Sequence, residues 1–185
     1  MNAFFEQMKA VYDERAEYFQ HEHQRLVSFG DMVSDRWEKA RKLGFGEGAS
    51  IYDSALVLGD VAVGESTWIG PQVILDGSGG TLTIGAYCSI SAGTHIYTHD
   101  SVGWAITGGK KSYATSCVTI GSNVYIGPYA VISRGVSIGN HSIVGTKSFV
   151  NKDIPANSVV FGCPARIVGE VALDDSERGY TITYF

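Results

Sequence analysis

The sequence predicts an all-β solenoid in which short parallel strands coil around one apolar core. The first observation is a six-residue period, because an aliphatic residue recurs at every sixth position through most of residues 51–150. The second is a glycine that often follows this residue, in a chain with 23 glycines among 185 residues. The third is the scarcity of charge in residues 51–163, which hold 11 charged side chains, against 15 in residues 1–43. These observations separate a repeat region from a charged N-terminal segment.

The six-residue period matches neither an amphipathic helix, with a period of 3.6, nor an alternating strand, with a period of two. It fits a repeated unit of one short strand and one turn, and three such units would complete a triangular coil. Coils stacked at about 4.8 Å bury an aliphatic face that a single coil leaves exposed. We expect the glycine beside each aliphatic residue to permit the turn. The positions are Ile51, Val57, Val63, Ile69, Leu75, Ile84, Ile90, Ile96, Val102, Ile120, Ile126, Ile132, Ile138, Val144 and Val150.

Two segments interrupt the repeat. The first, Gly77–Thr83, adds three residues to the interval between Leu75 and Ile84. Its glycines are a weak match to a phosphate-binding loop, because no Lys-Ser/Thr pair and no helical pattern follow. The second lies between Val102 and Ile120 and lacks the aliphatic period. It predicts an extended loop of the kind that often carries function, and the spacing leaves open whether this loop replaces a coil or bulges from one.

The charged segment predicts an N-terminal helical arm over residues 1–45 that packs on the main body. Phe4, Met8, Val11, Tyr12 and Phe19 recur mostly at helical spacings. The solenoid is expected over residues 46–169, followed by a C-terminal tail over 170–185. The three cysteines form no CxxC pair, which argues against disulfides and zinc and favours a cytoplasmic protein.

Charge and hydropathy exclude several classes of protein. The net charge of −5 provides no basic surface for nucleic acid or an anionic membrane. No apolar run approaches the ~18 residues of a membrane span, and the N-terminus lacks the layout of a signal peptide. We therefore expect neither a nucleic-acid partner nor a transmembrane segment.

The repeat and its ending resemble a known family. The run VTIGSNVYIGPYAVISRGVSIGNHSIVGTKSFVNKDIPANSVVFGCPARIVG (118–169) resembles the hexapeptide-repeat acyltransferases, in particular the maltose/galactoside and xenobiotic acetyltransferase branch. The resemblance covers roughly residues 51–169. It implies a left-handed parallel β-helix of hexapeptide repeats with one extended loop. It also implies a homotrimer that uses acetyl-CoA as acyl donor and needs no metal.

One histidine is the candidate catalytic base. His99 lies three residues after Ile96, just before the extended loop, and is expected to point away from the core. A neutral imidazole can accept the proton of an acceptor hydroxyl, and the resemblance implies that a histidine beside such a loop does so. His95 competes for this role. Asp100 is not expected to orient His99, because neighbours along a strand face opposite sides.

The resemblance also implies binding residues. Coenzyme A is expected in a groove between subunits, on the residues Tyr125, Gly127, Thr146, Lys152 and Arg166. Most relatives carry Trp at the position of Tyr125 and Ala at that of Thr146. The expected acceptor-binding residues are Asp76, His95, Trp104 and Tyr113, with Asp76 reaching the acceptor sugar or the histidine of a neighbouring subunit.

These features predict an acetyl-CoA-dependent O-acetyltransferase that acts on a sugar hydroxyl, by analogy in surface-polysaccharide synthesis. An N-acetyltransferase of a nucleotide-linked amino sugar is a close alternative. A γ-type carbonic anhydrase shares the solenoid, but the spacing of His95, His99 and His141 does not match its three zinc ligands. A non-catalytic trimeric module remains the third alternative. The sequence does not identify the acceptor.

Overall fold

The computed structural model describes residues 2–174 and 179–185, and within them a helical arm precedes a parallel β-helix. The helices are α1 (Ala3–His23), α2 (Phe29–Val33), α3 (Arg36–Lys42) and α4 (Val102–Ile106). The strands are β1 (Ser50–Ile51), β2 (Leu56–Val63), β3 (Trp68–Ile69), β4 (Ile74–Ile84), β5 (Ser89–Ile90), β6 (His95–Tyr97), β7 (His99–Asp100), β8 (Ala114–Thr115), β9 (Val118–Ile120), β10 (Tyr125–Ile126), β11 (Val131–Ile132), β12 (Ser137–Ile138), β13 (Ile143–Val144), β14 (Phe149–Val150), β15 (Ser158–Gly162), β16 (Ala165–Asp174) and β17 (Gly179–Tyr184).

The strands of the solenoid form three faces with parallel pairing. The first face is built from β1, β3, β5, β10, β13 and β15. The second contains the N-terminal halves of β2 and β4 with β6, β11 and β14, and the third contains their C-terminal halves with β9 and β12. The predicted fold class, a parallel β-helix with a helical arm and one extended loop, is confirmed.

The six-residue period identifies the core with one error. Thirteen of the fifteen predicted positions are buried, and Val57 is partly buried against the core cluster. Val102 was wrongly predicted to point inward, because it begins α4 and is 59% exposed. The corresponding core position on the third face belongs to Ile120, which is 1% exposed.

The predicted reason for the repeated glycines is also wrong. The left-handed backbone conformation lies three residues before the aliphatic residue, as at Asn123 (φ 58°) and His141 (φ 57°). The glycines after the aliphatic residues permit close stacking of coils. A Cβ placed on Gly127, for example, would lie 2.7 Å from the backbone nitrogen of Thr146 in the next coil.

Both interruptions of the repeat lie at the same edge, between the second and third faces; we call this the loop edge. The strand β4 crosses this edge with an irregularity opposite Gly59–Val61, where its three additional residues lie. The chain leaves the second face after β6 and returns to the third face at β9, and both strands pair with β4. The extended loop therefore bulges from one coil and does not replace a coil.

The two ends of the chain extend the solenoid. The segment predicted as a tail contains the end of β16 and β17, which pair antiparallel and continue the first face from β15. In the arm, α1 contacts α2, and α3 packs on β1 with Ala40 buried in the core cluster. Among the described helices, none combines the length and hydropathy that a membrane crossing requires.

Candidate active site

His99 lies at the base of the extended loop. It pairs with Thr115 in the short antiparallel ladder of β7 and β8, and the Ser116 amide closes this stem by donating to the Thr98 carbonyl at 2.9 Å. The His99 side chain is 27% exposed, but its Nδ1 atom is buried. Solvent therefore reaches the His99 ring on the side opposite Nδ1.

A buried carboxylate faces the inner nitrogen of His99. Asp76 Oδ2 lies 3.6 Å from His99 Nδ1, and Oδ1 accepts a 2.9 Å hydrogen bond from the Ser78 amide. Nδ1 has no hydrogen-bond partner among the described residues, since 3.6 Å exceeds hydrogen-bond length. Such contacts often shorten when substrate binds. A carboxylate on this side favours the tautomer with the proton on Nδ1, which leaves the Nε2 lone pair free to accept a proton.

Asp76 faces a histidine that was not predicted as its partner. It was expected to reach the acceptor sugar or the histidine of a neighbouring subunit, and within the chain its carboxylate faces His99 of the same subunit. The register explains this, because Asp76 pairs with Tyr97, and His99 is two residues further along on the same side.

Aromatic side chains surround the imidazole. The ring of Tyr113 stacks on His99 with 6.0 Å between centroids and 9° between planes. Trp104 meets Tyr113 edge to face at 6.1 Å, and both side chains are about half exposed. On the other side, Tyr97 lies 6.5 Å from His99, and its hydroxyl lies 3.3 Å from His95 Nδ1. The structure thus brings the four predicted acceptor-binding residues and His99 into one cluster.

The glycine-rich interruption, Gly77–Thr83, packs against the backbone side of His99. A Cβ on Gly79 would lie 2.6 Å from the Cβ of His99, so only glycine fits there without displacement. The Gly79 amide donates to Thr98 Oγ1 at 2.9 Å, and this hydroxyl donates to the Asp76 carbonyl at 2.8 Å. The two interruptions of the repeat therefore form one local structure, which the spacing of the sequence did not indicate.

Sequence reasoning also missed Arg134. Its Nε donates to Asp100 Oδ2, and the second carboxylate oxygen of Asp100 accepts from the Val102 amide at 3.0 Å, where α4 begins. The hydrogen bond from Arg134 lowers the pKa of Asp100 below its ordinary value. Asp100 is directed to Arg134 and not to His99, as expected from the alternation along a strand. The sequence offered one signal for Arg134, because it is the only arginine in residues 51–163, where charged side chains are few.

The predicted coenzyme A residues fall into separate groups. Gly127 and Thr146 stack on adjacent coils at the edge between the first and second faces, beside Tyr125, which is 42% exposed. Lys152 is exposed and lies at the loop edge, two residues after Val150, and Arg166 is exposed on β16. Within one chain, His99 and Gly127 therefore occupy different edges. The described part of the chain contains no group of three or more His, Cys, Asp or Glu side chains arranged to hold a metal.

Comparison with known proteins identifies the family. The family described as "Bacterial transferase hexapeptide (six repeats)" matches residues 117–152. The carnitine operon protein CaiE of Proteus sp. (strain LE138) is 33% identical over 135 residues, which cover 70% of this chain and 68% of CaiE. The chain belongs to the hexapeptide-repeat transferase family. The predicted enzyme class, an acyltransferase, and the left-handed β-helix agree with this membership.

Other members of this hexapeptide family extend the comparison. The galactoside O-acetyltransferase of Escherichia coli (strain K12) is 31% identical, covering 64% of this chain and 66% of its own length. WcaF of the same strain, an acetyltransferase named for colanic acid biosynthesis, is 33% identical, covering 64% of this chain and 60% of its own length. The chain thus spans between 60% and 68% of these three relatives.

Two solved structures of hexapeptide-family enzymes are similar. A Vibrio cholerae hexapeptide-repeat acetyltransferase, crystallised with acetyl coenzyme A, superposes with a TM-score of 0.63 at 26% identity, over 89% of this chain and 88% of that one. AntD, an N-acyltransferase from Bacillus cereus in complex with dTDP and 3-hydroxybutyryl-CoA, gives a TM-score of 0.60 at 26% identity, over 67% of this chain and 70% of that one.

Proposed function

We propose that this hexapeptide-family protein transfers an acetyl group from acetyl-CoA to a hydroxyl of a sugar, with His99 as the general base. The observation that carries the proposal is the buried Asp76 carboxylate behind the Nδ1 atom of a partly exposed imidazole. The sugar-modifying relatives and the acetyl coenzyme A in the Vibrio cholerae structure support this reaction class. We propose that the reaction takes place in the cytoplasm.

The proposed step moves one proton and exchanges one bond. His99 Nε2 accepts the proton of the acceptor hydroxyl while the oxygen attacks the thioester carbonyl and forms a C–O bond. The tetrahedral intermediate then breaks its C–S bond, and the departing thiolate takes the proton back from the imidazolium. The products are an acetyl ester and the free thiol of coenzyme A. The Asp76 carboxylate stabilises the transient imidazolium, as an acid behind a histidine does in other hydrolytic and transfer sites.

The acceptor side of the site is proposed to be the aromatic wall of Trp104 and Tyr113. Both rings are about half exposed and lie beside His99 on the loop. Aromatic rings present broad apolar faces with a polar edge, which suit the mixed surface of a sugar ring. The names of the galactoside and colanic acid relatives support a glycan acceptor. We propose that the reaction belongs to surface-polysaccharide synthesis.

The proposed reaction is tested by a screen of acetyl-CoA consumption. Free sugars, lipid-linked glycans and nucleotide-linked amino sugars serve as acceptors, and the acetylated product is identified by mass spectrometry. We expect turnover with at least one hydroxyl acceptor and a product that alkaline hydroxylamine deacetylates, as an ester requires. If acetyl-CoA is not consumed with any acceptor, the proposal is rejected.

N-acylation of a nucleotide-linked amino sugar is the second candidate, and the similarity to AntD favours it. An amide product would resist alkaline hydroxylamine under conditions that cleave an ester. The same screen therefore separates the two reactions. His99 would keep its role, because an ammonium acceptor must also lose a proton before it attacks.

The donor site is proposed to lie between subunits of a homotrimer. Tyr125, Gly127 and Thr146 would contact the pantetheine arm, and Lys152 and Arg166 would meet the phosphates of coenzyme A. In one chain His99 lies at the loop edge and Gly127 at another edge, so a site that uses both requires two subunits. Closed rings of this kind are common among homo-oligomers.

Subunit mixing is expected to reveal a shared site. The variant His99→Ala damages the loop edge, and Thr146→Trp fills the opposite side of the groove at an exposed position. Each variant alone should be inactive. A refolded equal mixture should recover about a quarter of wild-type activity, because that fraction of subunit contacts combines two intact surfaces. Recovery without subunit exchange, or none after exchange shown by mass spectrometry, would contradict the shared site.

Arg134 is proposed as a positioning residue that holds the stem of the loop through Asp100. The variant Arg134→Gln is expected to lower kcat by about tenfold to a hundredfold, because small displacements of a catalytic group are costly. The KM for acetyl-CoA should change little, and Arg134→Lys should restore part of kcat. Steady-state kinetics measures all three. An unchanged kcat in Arg134→Gln would remove Arg134 from this role.

A further inference from the structure

A cavity lies between the helical arm and the first coil, away from His99, which belongs to the third coil. Its volume is about 220 Å³. Walls come from α1, from the segment that follows it, from α2 and α3, and from Tyr52 of the first coil. Three arginines, Arg15, Arg25 and Arg36, line this space. Two carboxylates, Asp31 and Asp35, line the cavity as well.

Aromatic faces hold two of these guanidinium groups in place. The Arg36 guanidinium carbon lies 4.9 Å from the ring centre of Trp37 and 4.7 Å from that of Tyr52. Arg15 lies 4.9 Å from the centre of the Tyr18 ring. Cation–π contacts of this kind occupy the flat faces of a guanidinium and leave its N–H groups in the plane free to donate.

Most of these N–H groups have no partner. Arg15 uses Nε and Nη2 to donate to the Met32 carbonyl at 3.0 and 2.9 Å, which leaves Nη1 available. The guanidinium groups of Arg25 and Arg36 form no hydrogen bond or ion pair with any residue that the structure describes. The cavity therefore presents several N–H hydrogen-bond donors that lack a partner and belong to positively charged guanidinium groups.

The two acidic residues of the cavity are already engaged. Asp31 is 7% exposed, and its oxygens accept hydrogen bonds from the Asp53 amide at 2.6 Å and from the hydroxyls of Ser28 and Ser54 at 2.7 and 3.1 Å. Asp35 caps α3 by accepting from the Glu38 amide at 2.7 Å. Both carboxylates are bonded within the local fold, and among the described residues neither forms an ion pair with the three arginines.

We infer that this cavity binds a small anion that carries a carboxylate or phosphate and an aromatic or heteroaromatic ring in one molecule. The guanidinium N–H groups match the oxygens of such an anion in pairs. The rings of Tyr18, Phe19 and Trp37 line the same space and accommodate the planar part of the ligand. The volume is below that of ordinary sites for drug-sized ligands, so the ligand is compact. This binding is independent of the acetyl transfer proposed for His99.

Titration calorimetry on the full chain tests the inference with three probes, benzoate, adenosine monophosphate and inorganic phosphate. Benzoate and the nucleotide represent the two sources of the same chemistry, and the tighter of them identifies the source. We expect saturable binding of at least one of them, and binding of inorganic phosphate at least about tenfold weaker, because it lacks the ring. Equal binding of all three would overturn the requirement for a ring, and binding of none at millimolar concentration would overturn the site.

Matched variants locate the binding. Arg36→Gln is expected to weaken it by at least about tenfold, since it removes a charge-assisted contact. Arg41→Gln is the control, because Arg41 is an exposed residue of the same helix outside the cavity and its loss changes the net charge equally. Equal losses in both variants would show unspecific attraction and overturn the inference. Acetyl transfer should be unchanged in both, which separates this result from failure of the proposed reaction.

Discussion

Replacement of His99 by alanine is expected to lower kcat/KM for acetyl transfer by about 10²- to 10⁴-fold. Loss of a positioned general base has this usual scale, because the acceptor hydroxyl must then attack while it keeps its proton. The structure gives His99 a buried carboxylate behind one nitrogen and solvent access elsewhere on the ring. Steady-state kinetics with the acceptor found in the screen measures the effect.

Two further variants make the His99 result specific. His21→Ala is the matched control, because His21 lies on the exposed arm with its side chain 86% accessible and should leave turnover unchanged. Asp76→Asn keeps the size of the side chain but removes the charge that stabilises the imidazolium, and its kcat should fall between those of wild type and His99→Ala. Full activity in His99→Ala would assign the proton transfer to another group and leave only the acyltransferase class.

The substitution Val144→Ala is expected to lower the free energy of unfolding by about 2–3 kcal/mol. Val144 is fully buried on the first face, and the loss combines the transfer of two methyl-sized groups with the cavity that remains between stacked coils. Chemical denaturation monitored by far-ultraviolet circular dichroism measures the change, provided that the protein concentration is held constant.

Val102→Ala is the matched control for the core, because it makes the same chemical change at a position that the period alone placed inside. Val102 is 59% exposed on α4, so its replacement should change stability by less than about 0.5 kcal/mol. Equal losses in the two variants would show that Val102 enters the core after all. A small loss in Val144→Ala would mean that the coils relax around the missing methyl groups.

The sequence predicts the repeat region well because the constraint there is local and regular. Each coil must place one aliphatic side chain inward on every face, so a fixed period of six identifies Ile69, Ile90 and Ile126 without further information. The helical arm is predictable for a similar reason, since apolar residues recur at helical spacing. His99 is the candidate base because it lies beside the long departure from the period in residues 84–150 and because the family resemblance implies a histidine there.

The parts that could not be predicted depend on contacts between coils. Arg134 is 34 residues from Asp100 and meets it only because the coils stack. The same stacking brings Asp76 to His99 and Gly79 beneath it. Val102 was wrongly assigned to the core because this residue of the loop continues the six-residue period by chance. For Arg134, Asp76 and Gly79, the pairing register between strands decides the outcome, and the spacing of a single sequence does not give that register.

The loop that carries Trp104 and Tyr113 begins and ends on neighbouring strands that both pair with β4. Its root is closed by its own two-stranded stem, so the number of residues beyond the stem does not alter the coil beneath. In the function proposed above, acceptor choice could therefore diversify by exchange of this one segment, while the proposed donor groove and the scaffold stay unchanged. Recombination between relatives at the stem would exchange the proposed acceptor wall without changing the coils.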